Sequence, residues 1–122
     1  MMLGRARSVA ALAAALVAAT TLAGCAPAEP IALDDDTVIV DVRTPAEYAA
    51  GHLEGAVNID LRSEEFEGEI AQLDDEATYV VYCQSGNRSG QAAAIMEGIG
   101  LDVVDAGSLA EAETATGLPR IP

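Results

Sequence analysis

Short β-branched runs alternate with helix-forming stretches over most of this chain, and this alternation restricts its fold more than any other feature. The run Thr37–Val42 has the composition of a strand buried on both faces, as in a parallel sheet. Further strands are predicted at Ala56–Ile59, at Tyr79–Tyr82, which ends directly at Cys83, and at Leu101–Val104. Strands alternating with helices at such short intervals predict an α/β fold, a parallel sheet with helices on both faces.

The helices between these strands are predicted from capping signals and apolar spacing. Thr44 and Glu47 form a capping box around a proline, and Gly51 ends that helix. Three more helices are predicted, at Ser63–Leu73, at Arg88–Glu97 and at Ser108–Thr116.

The start of the chain differs in composition from the rest and is interpreted as an export signal. Arg5 and Arg7 precede an apolar run at residues 9–19, and small residues then lead to Cys25. The segment Leu22–Cys25 resembles the lipobox of bacterial lipoproteins, whose cysteine is lipidated and becomes the new N-terminus. An ordinary secretory signal with a chance cysteine and an uncleaved N-terminal anchor helix are the alternatives.

This interpretation divides the chain into a signal peptide at 1–24, a flexible acidic tether at 25–36 and a folded domain at 37–122. Acyl chains such as palmitate on Cys25 would anchor the protein to a membrane. The expected location is therefore extracytoplasmic, in the periplasm or at the cell surface.

The charge of the chain argues against nucleic-acid partners. All 20 acidic residues lie after position 28, and without Arg5 and Arg7 only four arginines remain, a net charge of −16. Such a domain is repelled by phosphate backbones. The acidic cluster, which consists of Glu64, Glu65, Glu67 and Glu69, is interpreted as a solvated helix face. No cluster has metal-ligand spacing, so neither a metal nor a cofactor is expected.

Cys83 stands between a buried strand and a helix, separated from the helix by a tight loop. Loop amides and the positive end of the helix dipole meet at such a point, and Gly86 permits close backbone approach. The same surroundings stabilise a thiolate, and Arg88 would add a cation. Cys83 is therefore predicted to be a nucleophile; the alternative is a small buried hydrophobe at the end of a core strand.

Four segments resemble, in the right order, the signature blocks of rhodanese domains: Asp41–Tyr48, Gly51–Ile59, Cys83–Ser89 and Gly117–Pro119. The resemblance implies a three-layer α/β/α sandwich with a small central parallel sheet. It also implies a sulfurtransferase in which Cys83 takes the outer sulfur of thiosulfate or another donor as a persulfide and passes it to cyanide or a thiol. Amides and the arginine side chain of the loop would bind the donor, which assigns this role to Gln84, Ser85, Gly86, Asn87, Arg88 and Ser89.

This sequence departs from the family pattern at three places. Gln84 stands where many active members have arginine, which predicts weak binding of dianionic thiosulfate and favours another physiological donor. The usual N-terminal helix is absent before Thr37. Ala106-Gly107, and alanine and glutamate near position 112, replace a glycine pair and a tryptophan, which predicts a loosely packed last helix.

Two other functions stay open beside sulfur transfer. One is a non-catalytic rhodanese-type module that binds or senses sulfur species or a partner protein. The other is a phosphatase or arsenate reductase of similar fold, although related loops of those enzymes place the arginine one residue later than Arg88. The shorter span from Cys83 to Arg88 favours sulfur transfer.

Three further polar residues are assigned supporting roles. Asp41 and Arg43, at the end of the first strand, are candidates for shaping the loop; the alternative, which is favoured, is a local charge pair, with Glu47 also in reach of Arg43 at helical spacing. His52 is interpreted as structural rather than as a general base, because a thiolate stabilised by the loop needs none.

Overall fold

The computed structural model describes residues 29–122 of the chain. The predicted signal peptide and Cys25 lie outside the described residues. The elements in chain order are β1 (Thr37–Asp41), α1 (Pro45–Ala50), β2 (His52–Leu53), β3 (Val57–Asn58), α2 (Phe66–Ile70), β4 (Thr78–Cys83), α3 (Asn87–Gly98), β5 (Asp102–Ser108), α4 (Leu109–Thr116) and β6 (Arg120–Ile121). None of the helices within 29–122 has the length and apolar character needed to cross a membrane.

A four-stranded parallel sheet forms the centre of the fold, in the order β3-β1-β4-β5. Strand β4 therefore lies between β1 and β5 and is covered on both edges. Parallel strands all end at the same edge of a sheet, so the carboxyl ends of β1, β4 and β5 are neighbours. The predicted α/β fold with a central parallel sheet is confirmed.

Both faces of the sheet are buried, because alternate residues of each strand point to opposite sides. One face packs against α2 and α3, through Val40, Val42, Tyr79, Val81, Phe66, Ile70, Ala92 and Met96. The other packs against α4, through Ile39, Val80, Tyr82, Ala106, Leu109 and Ala112. Helix, sheet and helix layers thus form the expected sandwich.

Two elements differ from their predictions by more than one residue at an end. Helix α2 covers only Phe66–Ile70, because at both ends of the predicted range Ser63–Leu73 the backbone forms turns whose hydrogen bonds join residues three apart. Strand β5 continues to Ser108 instead of ending at Val104, since its backbone follows β4 as far as Cys83.

The small antiparallel pair formed by β2 and β6 was not predicted from the sequence. His52 pairs with Ile121 and Leu53 pairs with Arg120. Each strand has two residues, which is too short to leave a period in the sequence.

The last helix, α4, is well packed, so the prediction of loose packing is wrong. Leu109, Ala112 and Ala115 are 4%, 0% and 6% exposed. Small alanine side chains let the helix lie close to the sheet, so no tryptophan is needed to fill the space. Ser108 and Glu111 form a capping box at its start.

Contact with the domain begins within the predicted tether. The Ile31 amide donates to the Ala115 carbonyl at 2.8 Å, and the Ile31 side chain packs against the core beside α4. The division of the chain at residue 37 stays a prediction. Within the described residues, Ile31, which precedes that boundary, is already held by the domain.

Candidate active site

The carboxyl edge of the central sheet carries the predicted nucleophile. Cys83 is the last residue of β4, and it pairs with Ser108, the last residue of β5, after a register shift that begins at Val81. Asp41 ends β1 on the other side. In open parallel sheets, ligands bind beyond this edge, so Cys83 stands at the expected position for chemistry.

The loop between β4 and α3, residues 84–86, turns the chain sharply enough for α3 to begin beside the sulfur. Gly86 has φ +97°, a left-handed conformation that other residues adopt only at a cost. A Cβ at this position would lie 3.7 Å from the backbone of Gly107. That distance is an ordinary van der Waals contact, so it is the turn, and not the approach of β5, that requires glycine here.

Polar groups of the loop and of the first turn of α3 converge on the sulfur of Cys83. The Gly86 amide donates to Sγ at 2.9 Å, and the thiol donates to Ser89 Oγ at 3.6 Å. The Ser89 hydroxyl is buried and within hydrogen-bond distance of the Gly86 and Gly107 carbonyls, at 3.0 and 3.3 Å. The sulfur is thus held in the polar surroundings that the sequence predicts.

These surroundings lower the pKa of the thiol. Burial alone raises the pKa of Cys83, because it penalises the charged thiolate. Once ionised, the sulfur accepts hydrogen bonds from the amide and hydroxyl of Ser89 and from the amides of Gly86 and Ser85, which outweigh burial, and the net pKa is below the ordinary value of 9.0. The positive end of α3 acts in the same direction. The thiol of Cys83 therefore ionises more readily than an ordinary cysteine.

Asp41 and Arg43 form a buried ion pair beside the loop. Arg43 Nη2 lies 2.7 Å from Asp41 Oδ2, with side chains 4% and 0% exposed. The guanidinium also donates to Gln84 Oε1 at 3.0 Å and to the Gly51 carbonyl at 2.6 Å. The pair therefore joins the end of β1 to the first loop residue, in agreement with the predicted support of the loop.

Arg88 pairs with Glu47, a carboxylate that the sequence analysis places in reach of Arg43. Its Nη1 and Nη2 donate to the two carboxylate oxygens of Glu47, at 2.7 and 2.9 Å. Glu47, which helical spacing places in reach of Arg43, therefore pairs with Arg88 instead. The hydrogen bond from Arg88 is the main cause that lowers the pKa of Glu47 to about 2, so the carboxylate is charged at neutral pH.

The other predicted loop residues differ in where their side chains go. Gln84, Ser85 and Asn87 are exposed. The Gln84 side chain accepts from Arg43, and the Asn87 side chain accepts from Gln91 at 2.9 Å. The structure thus gathers Ser85, Gly86 and Ser89 around Cys83, while the side chains of Gln84, Asn87 and Arg88 point to other partners.

His52 belongs to the framework of the site. Its Nδ1 lies 2.9 Å from the Tyr48 carbonyl, and its ring stacks on the Tyr48 ring with centroids 3.7 Å apart. Both contacts fix the turn that follows α1, which fits the structural role predicted for this histidine.

Comparison with known protein families decides what kind of domain carries this site. The family model described as a rhodanese-like domain matches residues 29–110. The chain belongs to the rhodanese-like domain family. The predicted resemblance is thereby confirmed, and the match begins at residue 29, before the predicted boundary.

Two curated relatives of this rhodanese-like chain are named as thiosulfate sulfurtransferases. It is 38% identical over 66 residues to thiosulfate sulfurtransferase PspE of Escherichia coli, covering 54% of this chain and 64% of that protein. It is 40% identical over 80 residues to thiosulfate sulfurtransferase GlpE of Pseudomonas entomophila, covering 64% of this chain and 71% of that protein. The chain thus spans about two thirds of these relatives.

Solved structures show the same fold. A rhodanese with anions from E. coli is 34% identical and superposes with a TM-score of 0.58, covering 70% of this chain and 96% of that one. A rhodanese-related protein from Thermoplasma volcanium is 28% identical with a TM-score of 0.60, covering 70% and 84%. Both comparisons support the layer order described above.

The thiol of this rhodanese-like domain is enclosed. Cys83 is 0% exposed, although its Sγ points toward the loop amides and not into the centre of the core. The Gly86 amide of the loop is therefore occupied by the sulfur itself.

A small cavity of about 190 Å³ lies beside the loop. It is lined by Arg43, Glu47, Ala50, Gly51, Gln84, Leu109 and Arg120. Arg120 is half-exposed here, and its Nε donates to Glu113 at 3.1 Å. The cavity thus opens next to Gln84, the first loop residue.

Sequence reasoning missed two contributors to the site. Glu47 was explained by its capping box. Its contact with Arg88 was missed because the two residues are 41 positions apart, so that the contact has no local signal in the sequence. The carbonyl of Gly107 was missed because β5 was predicted to end before it. A prediction that β5 continues beyond Val104 would have revealed this carbonyl, but no residue pattern in the sequence indicates that the strand continues.

Proposed function

We propose that this rhodanese-like domain is a sulfurtransferase that moves a sulfane sulfur from thiosulfate or a persulfide donor to a thiophilic acceptor, such as a thiol or cyanide, through a persulfide on Cys83. The observation that carries the proposal is the contact of the Gly86 amide, at 2.9 Å, with a thiol whose pKa is lowered at the start of a 12-residue helix. Relatives named thiosulfate sulfurtransferase support it.

The first half-reaction forms a bond between Sγ and the outer sulfur of the donor. With thiosulfate, the Cys83 thiolate attacks that sulfur, the sulfur–sulfur bond of the donor breaks, and sulfite leaves with the electron pair. The product is a Cys83 persulfide anion. Amides of Gly86 and Ser89 stabilise the negative charge on sulfur before and after the transfer, and the dipole of α3 acts with them.

The second half-reaction regenerates the thiolate. The acceptor, cyanide or a thiolate, attacks the outer sulfur of the persulfide, and Sγ leaves with the electron pair. Because Cys83 is a better leaving group when its pKa is low, the same hydrogen bonds assist both halves. A general base is not required, which agrees with the placement of His52 away from the sulfur contacts.

Intact mass measurement of the purified full chain tests this proposal. After incubation with thiosulfate or glutathione persulfide, we expect a gain of one sulfur atom that disappears when cyanide is added. Cys83→Ser must lose the gain, while the matched variant Cys25→Ser must retain it. If neither donor adds a sulfur atom to the unmodified chain, the proposed sulfurtransferase function is contradicted.

A second candidate function, a non-catalytic module that binds sulfur species or a partner protein, is favoured by the enclosure of the thiol. Cys83 is 0% exposed, and Arg88 is engaged by Glu47. Such a module would bind a sulfur anion, measured by calorimetry, with no change in the mass of Cys83. Turnover of thiosulfate with cyanide contradicts it.

We also propose that the chain is exported and lipid-anchored at Cys25, on the sequence of the segment Leu22–Cys25. In cells fed labelled palmitate, the chain should carry label and sediment with membranes. Cys25→Ser should remove both properties, whereas Cys83→Ser should change neither. Label that persists in Cys25→Ser contradicts the proposal.

A further inference from the structure

The loop of this domain carries little net positive charge, because each arginine around it is paired. Arg88 gives one nitrogen to each oxygen of Glu47, at 2.7 and 2.9 Å, so the pairing occupies the Nη1–Nη2 edge of the guanidinium and sets a carboxylate charge against it. Its side chain is 13% exposed and that of Glu47 is 32% exposed, which keeps the pair partly shielded from water. Arg88 in this position therefore offers an incoming anion little net positive charge.

The second cation near the loop, Arg43, is also committed. It is bound by Asp41, and its remaining contacts go to the Gly51 carbonyl and to Gln84. Being 3% exposed, it has almost no surface to present to a ligand. Arg43 therefore holds the loop in shape and does not meet the donor.

The rim of the adjacent cavity adds one more arginine, and this too has an acidic partner. Arg120 contacts Glu113 at 3.1 Å, and both side chains are more than 40% exposed, so this pair is weak. Charges of opposite sign thus cancel at each of the three arginines that surround the loop and its cavity within residues 29–122. The net charge of the whole chain, −14, opposes an incoming anion.

We propose that Glu47 is a specificity-determining residue: by holding Arg88, it makes the loop favour persulfide donors of low charge over dianionic thiosulfate. The inference rests on the sulfurtransferase proposed above and names the class of donor. Thiosulfate brings two negative charges to a loop that offers amides but no unpaired guanidinium. The reacting –SSH group of a hydropersulfide brings at most one to the sulfur of Cys83, where the amides of Gly86 and Ser89 point.

The transfer from a hydropersulfide balances without another reactant. The Cys83 thiolate attacks the outer sulfur of R–S–S–H, and the bond between the two donor sulfurs breaks. The thiolate of R leaves with the electron pair, and the hydrogen stays on the transferred sulfur. The charge carried away is a single one, so the leaving group needs no guanidinium to stabilise it.

Glu47→Gln tests the inference with little damage to the fold. Glutamine retains an oxygen for the hydrogen bonds from the Thr44 amide and hydroxyl, so the capping box of α1 is kept while the charge that holds Arg88 is removed. We expect the ratio of kcat/KM for thiosulfate to kcat/KM for glutathione persulfide to rise about five- to tenfold, mainly through a lower KM for thiosulfate.

Two further variants separate the local effect from the general charge. Glu97→Gln removes the same charge from an exposed position near the end of α3 and should leave the ratio within about twofold. In an Arg88→Gln background, Glu47→Gln should no longer raise the ratio, because the cation that it releases is missing. Arg88→Gln alone should slow both donors to the same degree.

The outcomes distinguish this inference from the proposed function. If neither donor loads Cys83 in the unmodified chain, the sulfurtransferase itself fails. If both donors load it but Glu47→Gln leaves the ratio unchanged, the specificity role of Glu47 is wrong while the sulfurtransferase stands. If circular dichroism shows that Glu47→Gln is unfolded, the Arg88→Gln variant takes its place as the test. A selective loss of turnover with thiosulfate then overturns the inference, whereas an equal loss of turnover with thiosulfate and with glutathione persulfide supports it.

Discussion

Two helices begin side by side at the carboxyl edge of the sheet, and they begin in opposite ways. Helix α4 has a Ser108 cap whose hydroxyl accepts from the Glu111 amide, and the Glu111 carboxylate returns to the cap. Helix α3 begins after Gly86, in a left-handed conformation, with no side-chain cap and no acidic residue in its first turn. Both starts follow a strand of the central sheet, yet only one is closed by its own side chains.

The difference shows how the fold separates stability from chemistry. Amide groups at the start of a helix need acceptors, and side chains supply them at α4. At α3 the Cys83 sulfur takes that place, so its thiolate gains the stabilisation that a cap would otherwise receive. Helix α1, with Thr44 and Glu47, follows the capped pattern of α4. The uncapped start is therefore the one to examine for function.

Replacing Gly86 with alanine should have the largest effect on the uncapped start. A left-handed conformation costs a residue with Cβ about 1 to 2 kcal/mol, so the turn should shift and carry its amide away from Sγ. We expect persulfide loading of Cys83, followed by mass, to slow about tenfold or more. Gly98→Ala is the matched control, because its Cβ would meet nothing within 4 Å and its φ is not positive. Equal slowing in both variants would show that the turn at Gly86 has no special part.

Ser89→Ala should have an intermediate effect, on the ionisation of the thiol. Loss of the hydroxyl removes one of the groups that lower the pKa of Cys83, so the pKa should rise toward 9.0. Less thiolate is then present at neutral pH, and the pH midpoint of alkylation by iodoacetamide should move upward. The rate of alkylation at pH 7 should fall about threefold, measured on the Cys83 peptide. A midpoint equal to that of the unmodified chain would refute the role of this hydroxyl.

Ser108→Ala should have the smallest effect on the thiol, although it removes the cap of α4. Loss of an N-cap side chain lowers the free energy of unfolding by about 1 kcal/mol, which urea titration measures. The alkylation midpoint of Cys83 should stay where it is, since Ser108 makes no hydrogen bond to Sγ. A shift of that midpoint in Ser108→Ala as large as in Ser89→Ala would erase the distinction between the two helix starts.

Local chemistry was enough to predict several parts of the fold that this comparison uses. The capping box at Thr44 and the tight loop that contains Gly86 depend on residues within a few positions of one another. Strand β4 was located because a β-branched and aromatic run fits a strand covered on both faces. The position of Cys83 at its end followed directly.

Contacts between distant segments could not be predicted in the same way. Glu47 and Arg88 are 41 residues apart, and Glu47 already had a capping role and a nearer arginine at helical spacing. The pair β2–β6 joins two-residue strands, which have no measurable period. The packing of α4 depends on the depth to which alanines can approach the sheet, a property of the assembled layers and not of the helix sequence.

The zero exposure of Cys83 has a consequence for the lifetime of the resting protein. An ionised sulfur in contact with solvent is readily oxidised by peroxide, first to sulfenic acid and then irreversibly to sulfinic acid. Behind the loop, this sulfur is shielded from small oxidants in the arrangement described above. In the proposed sulfurtransferase, damage should therefore accumulate during turnover and not at rest, so that the working protein ages with the number of cycles it completes.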